Sequence, residues 1–179
     1  MMTRRTAAGA ALLLLTATLL TGCGKADLGP VWFPLKEGGS ITYAITQTGE
    51  EAPAPEEWTL RVTAPATLDQ VPVAVRHHSL GVSYYLRHDG QGLRRMATRM
   101  DIDDEPTPEK EPLWVLKAPY TVGTEWTTPT VPYLILRRNE HPRELRYSHR
   151  ALMGWRIEAD NDTVTTPAGT FSPCLRVVG

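Results

Sequence analysis

The sequence predicts an all-β chain behind a cleaved export signal: a single antiparallel curved sheet, or one closed into a partly open barrel. Three observations carry that prediction. From Ser40 onward, apolar residues recur two apart rather than three or four apart, the period of a half-buried strand. Fifteen Pro and 14 Gly in 179 residues break the chain into short segments, and no stretch after the amino-terminal run holds a helical apolar stripe for three turns. With 41% hydrophobic and 22% charged residues, the composition is that of one globular domain. A formal charge of −1 excludes a strongly basic nucleic-acid binder and an acidic disordered tail.

At the amino end, Arg4 and Arg5 precede a charge-free run from Thr6 to Leu20 centred on Leu12 to Leu15, a secretory signal pattern. The run is shorter than the ~20 residues that span a ~30 Å hydrocarbon core, which favours export over a permanent transmembrane helix. It closes on Leu20-Thr21-Gly22-Cys23, which resembles the lipobox of bacterial lipoproteins. That resemblance implies cleavage before Cys23, a diacylglycerol on its thiol and acylation of the new amino terminus. The alternative is an ordinary cleaved signal followed by an incidental Cys. Several acyl chains together hold a protein stably to a bilayer, whereas a single chain, at about 0.8 kcal/mol per buried methylene, anchors it marginally. In enterobacterial lipoproteins an Asp after the Cys resembles an inner-membrane retention mark; Gly24 here points to the outer membrane, facing the periplasm. Residues 1–22 are thus expected to be a signal peptide, 23–30 a lipidated tether and 31–179 a β-rich periplasmic domain.

Within the domain, Ile41, Tyr43 and Ile45 share one face of a first strand. Trp58, Leu60 and Val62 alternate with polar neighbours in a second, and Val71, Val73 and Val75 form a third. Val82, Tyr84 and Leu86 make a fourth, turned back through His88-Asp89-Gly90-Gln91-Gly92 toward residues 93–100, because Asp-Gly supplies the positive φ angles of a tight hairpin. Further strands are predicted over 133–138, 145–149, 155–159, 163–166 and 174–178. The acid- and Pro-rich stretches 50–57 and 101–112 read as exposed loops. The second fails as a calcium loop, since Pro106 and Pro112 stand where such a loop needs Gly and Glu.

Two echoes run through this pattern. Residues 34–42 share Pro, Gly, an apolar residue and Thr with residues 119–127 at equal spacing, and 62–66 match 164–168 at four of five places. Two related β-rich halves account for this, and so does the recurrence of turn-then-strand chemistry in any antiparallel protein. The last strand, 174–178, is followed by Gly179 with no closing hairpin partner, which predicts either a truncated reading frame or an open edge that associates or aggregates through this strand.

No set of residues composes a catalytic site. The chain has no Gly-x-Ser-x-Gly elbow, no His-Glu-x-x-His and no Gly-rich phosphate loop. His77 and His78 are adjacent, so on a strand they face opposite ways; His77 with His88 across neighbouring strands is the remaining chelating pair, against the plainer reading of polar groups at strand ends. No metal and no cofactor is expected. With Cys23 acylated, Cys174 has no partner in the chain, and a strand-buried thiol is the plain reading over a catalytic one. Asn161-Asp162-Thr163 matches a glycosylation sequon and reads more simply as a turn. Arg137, Arg138, Arg143, Arg146 and Arg150, against Glu140 and Glu144, form a basic patch suited to anionic headgroups rather than nucleic acid, or a solvated sheet face.

Pro167-Ala168-Gly169-Thr170-Phe171, followed by Cys174, Leu175 and Val177 and preceded early in the chain by Pro34-Leu35-Lys36 and Gly38, resembles a motif of poorly characterised β-rich bacterial envelope lipoproteins. That family implies a fold without an established activity. A further likeness is to the lipoprotein carriers of the periplasm, whose unclosed barrel holds acyl chains around plugging helices that this sequence does not predict. The expected function is non-enzymatic: a membrane-anchored lipoprotein that binds an envelope protein or an apolar lipid ligand, and no nucleic acid. An envelope enzyme such as a hydrolase is the alternative, weakened by the missing nucleophile and base.

Overall fold

The period-two pattern resolves into ten β-strands in the computed structural model, which describes residues 29–46, 54–130 and 151–179. They are β1 (Ser40–Ile45), β2 (Glu56–Val62), β3 (Ala66–Leu68), β4 (Val71–His78), β5 (Val82–Asp89), β6 (Gly92–Met100), β7 (Thr107–Lys117), β8 (Glu125–Thr130), β9 (Ala151–Thr166) and β10 (Gly169–Val178). Every pairing is antiparallel, and the fold is all-β as predicted. The strands do not close into a barrel. They divide into a larger sheet, ordered β1-β2-β4-β5-β6-β7 with β3 also beside β4, and a smaller one, ordered β10-β9-β8. The predicted strands at 133–138 and 145–149 lie outside the described residues.

Both sheets feed one core. Leu35, Val62, Ala74, Leu86, Leu93, Leu116, Trp126 and Ile157 form a single buried cluster, joining the segment before β1 to strands of each sheet. Burying residues of this size stabilises by roughly 1.5–3 kcal/mol each before chain entropy is charged against it. A second cluster of Val73, Val75, Tyr85 and Ala97 lies on the opposite face of the larger sheet, so β4 is buried on both faces. Tyr85 and Leu86 are adjacent yet both buried because they face the two clusters in turn, whereas Leu93 and Ala97 of β6, four apart, reach opposite clusters because the β5–β6 register shifts and leaves Met96 unopposed. Strict alternation cannot anticipate such a bulge.

Several local expectations change. The β5–β6 hairpin forms where predicted, but Gly92, at φ 134, takes the positive angle rather than Gly90, while the Asp89 carboxylate accepts the Gln91 N–H at 2.9 Å. The β3–β4 turn is made by Asp69 and Gln70, at φ 47 and 65; with no glycine to mark it, it escaped the sequence reading. Of the predicted loop 101–112, only 101–106 is loop; β7 begins at Thr107, and residues 109–112 bulge out between the pairs Ala97↔Pro108 and Arg95↔Leu113. Glu56 and Glu57 belong to β2 rather than to a loop. Asn161 and Asp162 are not a turn: β9 runs through them unbroken, Asp162 pairs with Cys174, and the chain turns at Pro167-Ala168 instead. Strand β10 pairs back on β9, Val177 and Val178 opposite Ile157 and Arg156, and its other edge is unpaired among the described residues, as the open-edge expectation has it. Pro30, assigned to the tether, is buried, and its carbonyl accepts the Phe33 N–H at 2.8 Å.

The first echo is a structural repeat. The Gly38 N–H donates to the Val62 carbonyl at 2.8 Å, and the Val62 N–H donates back to Gly39 at 2.8 Å. In the second half Gly123 donates to Ile157 at 2.9 Å, and Ile157 donates back to Thr124 at 3.0 Å. Gly38 and Gly123 share a positive φ, 85 and 91, and Val62 and Ile157 are both in the core. The hairpins that follow keep the same register, so Ile41↔Leu60 corresponds to Trp126↔Trp155 and Tyr43↔Trp58 to Thr128↔Met153. The second echo is not structural, because Val62 occupies the place of Ile157 and not that of Val164.

Candidate functional site

Strands β7, β8 and β9 each contribute one tryptophan, Trp114, Trp126 and Trp155, where the two sheets meet. Trp126 and Trp155 are directly opposed across β8 and β9. Beside them β7 runs along β8, tied by the Thr128 Oγ1 hydroxyl donating to the Trp114 carbonyl at 3.0 Å. The three rings line a groove of about 620 Å³, and Gly179 lies against the Trp155 ring. A neighbouring recess of about 670 Å³ shares Trp114 and Trp155 and adds Leu113, Val115, Met153 and Pro129. Volumes of this size match small-molecule sites, which are typically apolar with a few placed polar groups.

The polar groups at the groove are mostly matched within the protein. Lys117 Nζ donates to the Glu125 carbonyl at 3.4 Å, Arg156 to Glu158 at 3.1 Å, and Arg95 to Glu109 at 2.7 Å. The Arg94 guanidinium sits 5.1 Å from the Trp114 ring centre and pairs with Asp89. Three buried donors have no hydrogen-bond partner among the described residues: Arg94 Nε, Arg99 Nε and the indole Nε1 of Trp126, a residue only 6% exposed. Buried indole N–H groups are normally satisfied. With three tryptophans in its wall, the groove suits an apolar or aromatic group.

A polar cluster clamps the hairpin at one end of β5 and β6 to the segment that leads into β8. His88 Nε2 lies 3.1 Å from the Tyr120 hydroxyl. Burial, and then the Asp89 charge, push the Tyr120 hydroxyl above its ordinary value. Burial also pushes Asp89 up, but the Gln91 N–H, the Arg94 guanidinium and the Arg87 charge outweigh it and hold that carboxyl below its ordinary range.

At the opposite end of β5, His77 Nδ1 stands 3.2 Å from Ser83 Oγ and 3.7 Å from an Asp101 carboxylate oxygen. The composition is that of a hydrolytic triad but the geometry is not. A triad places serine and aspartate on opposite ring nitrogens and leaves the serine reachable, whereas here both face Nδ1 and Ser83 is 3% exposed. The cluster closes strand ends. The chelating pair of His77 and His88 also fails: Ser83 is paired with His77, and His88 lies five residues further along the same strand, about 17 Å away at strand rise. Among the described residues no three His, Cys, Asp or Glu side chains gather as metal ligands.

The lipobox residues Leu20, Thr21, Gly22 and Cys23 lie outside the described residues, as do Arg137, Arg138, Arg143, Arg146 and Arg150. Cys174 is only partly buried, its thiol donating to the Phe171 carbonyl at 3.4 Å, because β10 is an outer strand. The groove itself escaped sequence reading. Its tryptophans are conspicuous one by one, but their meeting depends on how the two sheets approach. No protein-family model, curated protein or solved structure matches this chain.

Proposed function

We propose that this chain is a membrane-anchored bacterial lipoprotein that binds rather than catalyses, taking an apolar ligand or an apolar side chain of an envelope protein into the tryptophan groove. The observation that carries the binding reading is the groove itself, walled by Trp114, Trp126 and Trp155 from three strands. The hydrolase alternative loses support from the histidine–serine–aspartate cluster among the described residues, which has the wrong nitrogen and a buried hydroxyl. The anchor reading rests on Leu20-Thr21-Gly22-Cys23 behind its apolar run.

Native mass spectrometry of the full chain, purified from its own envelope in mild detergent, tests both parts. The expected spectrum carries acyl mass that Cys23→Ser removes, and a co-purified apolar molecule or envelope protein that Met153→Lys and Trp155→Ala release. An unmodified parent refutes the anchor. A parent without any bound species, or one whose bound species survives both groove variants, refutes the binding site.

A further inference from the structure

Among the described residues the outer strands are β1, β3, β7, β8 and β10, and four of them carry features that discourage a further strand. Strand β3 is three residues long. Strand β7 holds Pro108, Lys110 and Pro112, and β8 holds Glu125 and Pro129 with β7 already beside it. Strand β10 has Pro173 in its middle and three register shifts against β9. Strand β1 has none of these: Ser40–Ile45 contains no charge and no proline, and its register with β2 is unbroken. Ile41 and Tyr43 are 46% and 44% exposed.

The internal repeat offers a comparison for this edge. Strand β8, the counterpart of β1, has β7 packed beside it without ladder pairing, and Trp126, the counterpart of Ile41, is 6% exposed, whereas no strand among the described residues lies along the outer edge of β1. We infer that β1 is a pairing edge for a second copy of this chain, joined antiparallel through β1 about a two-fold axis. Such an axis, normal to an antiparallel pair, passes between directly opposed residues, so odd positions meet odd positions only. Centred on Tyr43, the pairing sets Tyr43 against Tyr43 of the partner subunit and Ile41 against Ile45 of the partner subunit. Aromatic and β-branched cross-strand pairs are the stabilising kind, and no like charges meet. On the same face, the row Ile41, Leu60, His78, Val82 and Met100 then continues from one sheet into the other. The contact is isologous, so it closes at the dimer. A five-residue strand pair falls in the transient class below about 1,200 Å², so association is expected at high protein concentration. This inference is independent of the groove.

Sedimentation velocity of the full chain in mild detergent, over a concentration series, tests it. The parent is expected to dimerise reversibly; Tyr43→Lys, which sets like charges face to face, is expected to weaken association about tenfold or more. Phe171→Lys, exposed on the β10 hairpin, is expected to leave it unchanged. Circular dichroism checks that both variants fold, and if Tyr43→Lys does not, amide exchange of the parent decides, with β1 protection rising with concentration and β10 protection constant. A parent that stays monomeric, a dimer that a folded Tyr43→Lys leaves intact, or one that Phe171→Lys disrupts would overturn the proposal.

Discussion

Replacing Gly92 with alanine is expected to destabilise the domain far more than the same change two residues earlier. Gly92 opens β6 at φ 134, a backbone conformation that costs an L residue roughly 1–3 kcal/mol. A Cβ there would overlap the Leu116 carbonyl oxygen and stand 2.9 Å from the Ala118 nitrogen and 3.0 Å from the Lys117 Cα. All three are backbone atoms of β7 or its end, so relief requires moving the strand rather than turning a side chain, and overpacking of this kind costs roughly another 1–3 kcal/mol. The same movement strains the Ala118 N–H donation to Gln91 at 2.9 Å and the Gly92↔Lys117 pairing. The sum is about 4 kcal/mol for Gly92→Ala. Gly90 has nothing within 4 Å of a built Cβ and no positive φ, so Gly90→Ala is expected to be neutral or stabilising by up to about 1 kcal/mol through the unfolded chain. Urea titration followed by tryptophan fluorescence measures both. With a slope near 2 kcal/mol per molar, Gly92→Ala should lower the midpoint by about 2 M. Equal losses at the two positions, or the larger loss at Gly90, would refute the reasoning and restore Asp-Gly as the strained element of the hairpin.

Two other outcomes follow from named side chains. Asp89 ionises below its ordinary value of 3.8, so the stability it contributes is complete above that pH and is lost as pH falls through the lower folded value. Asp89→Asn should therefore weaken the fold at neutral pH and flatten the parent's loss of stability below pH ~4, read as urea midpoints across an acid series; parallel curves would count against it. The Cys174 thiol, only partly buried, should react with iodoacetamide in the native protein, more slowly than an exposed thiol but without unfolding. Complete protection until denaturation would show that β10 is covered on both faces.

By itself the sequence determined the fold class and most strand positions. A strand's facing pattern is local: residues two apart share a face, so Trp58, Leu60 and Val62, or Val71, Val73 and Val75, announce their strands without reference to anything distant. The Pro-x-x-x-Gly echo likewise carried enough local turn chemistry to reveal a repeat that the hydrogen bonds of Gly38 and Gly123 make explicit. Tertiary structure alone decided what is not local. Which glycine takes the positive φ depends on where β7 lies against Gly92, and Asp69-Gln70 turn without glycine because β3 and β4 pair around them. Asp162 stays in a strand because Cys174 and Arg176 of β10 supply its partners. The tryptophan groove is the furthest case: Trp114, Trp126 and Trp155 come from three strands and both sheets, and the packing of Leu116, Trp126 and Ile157 in one core brings them together. Period and turn chemistry act between neighbours along the chain, whereas sheet-on-sheet packing is a contest among distant apolar faces that only the folded chain resolves.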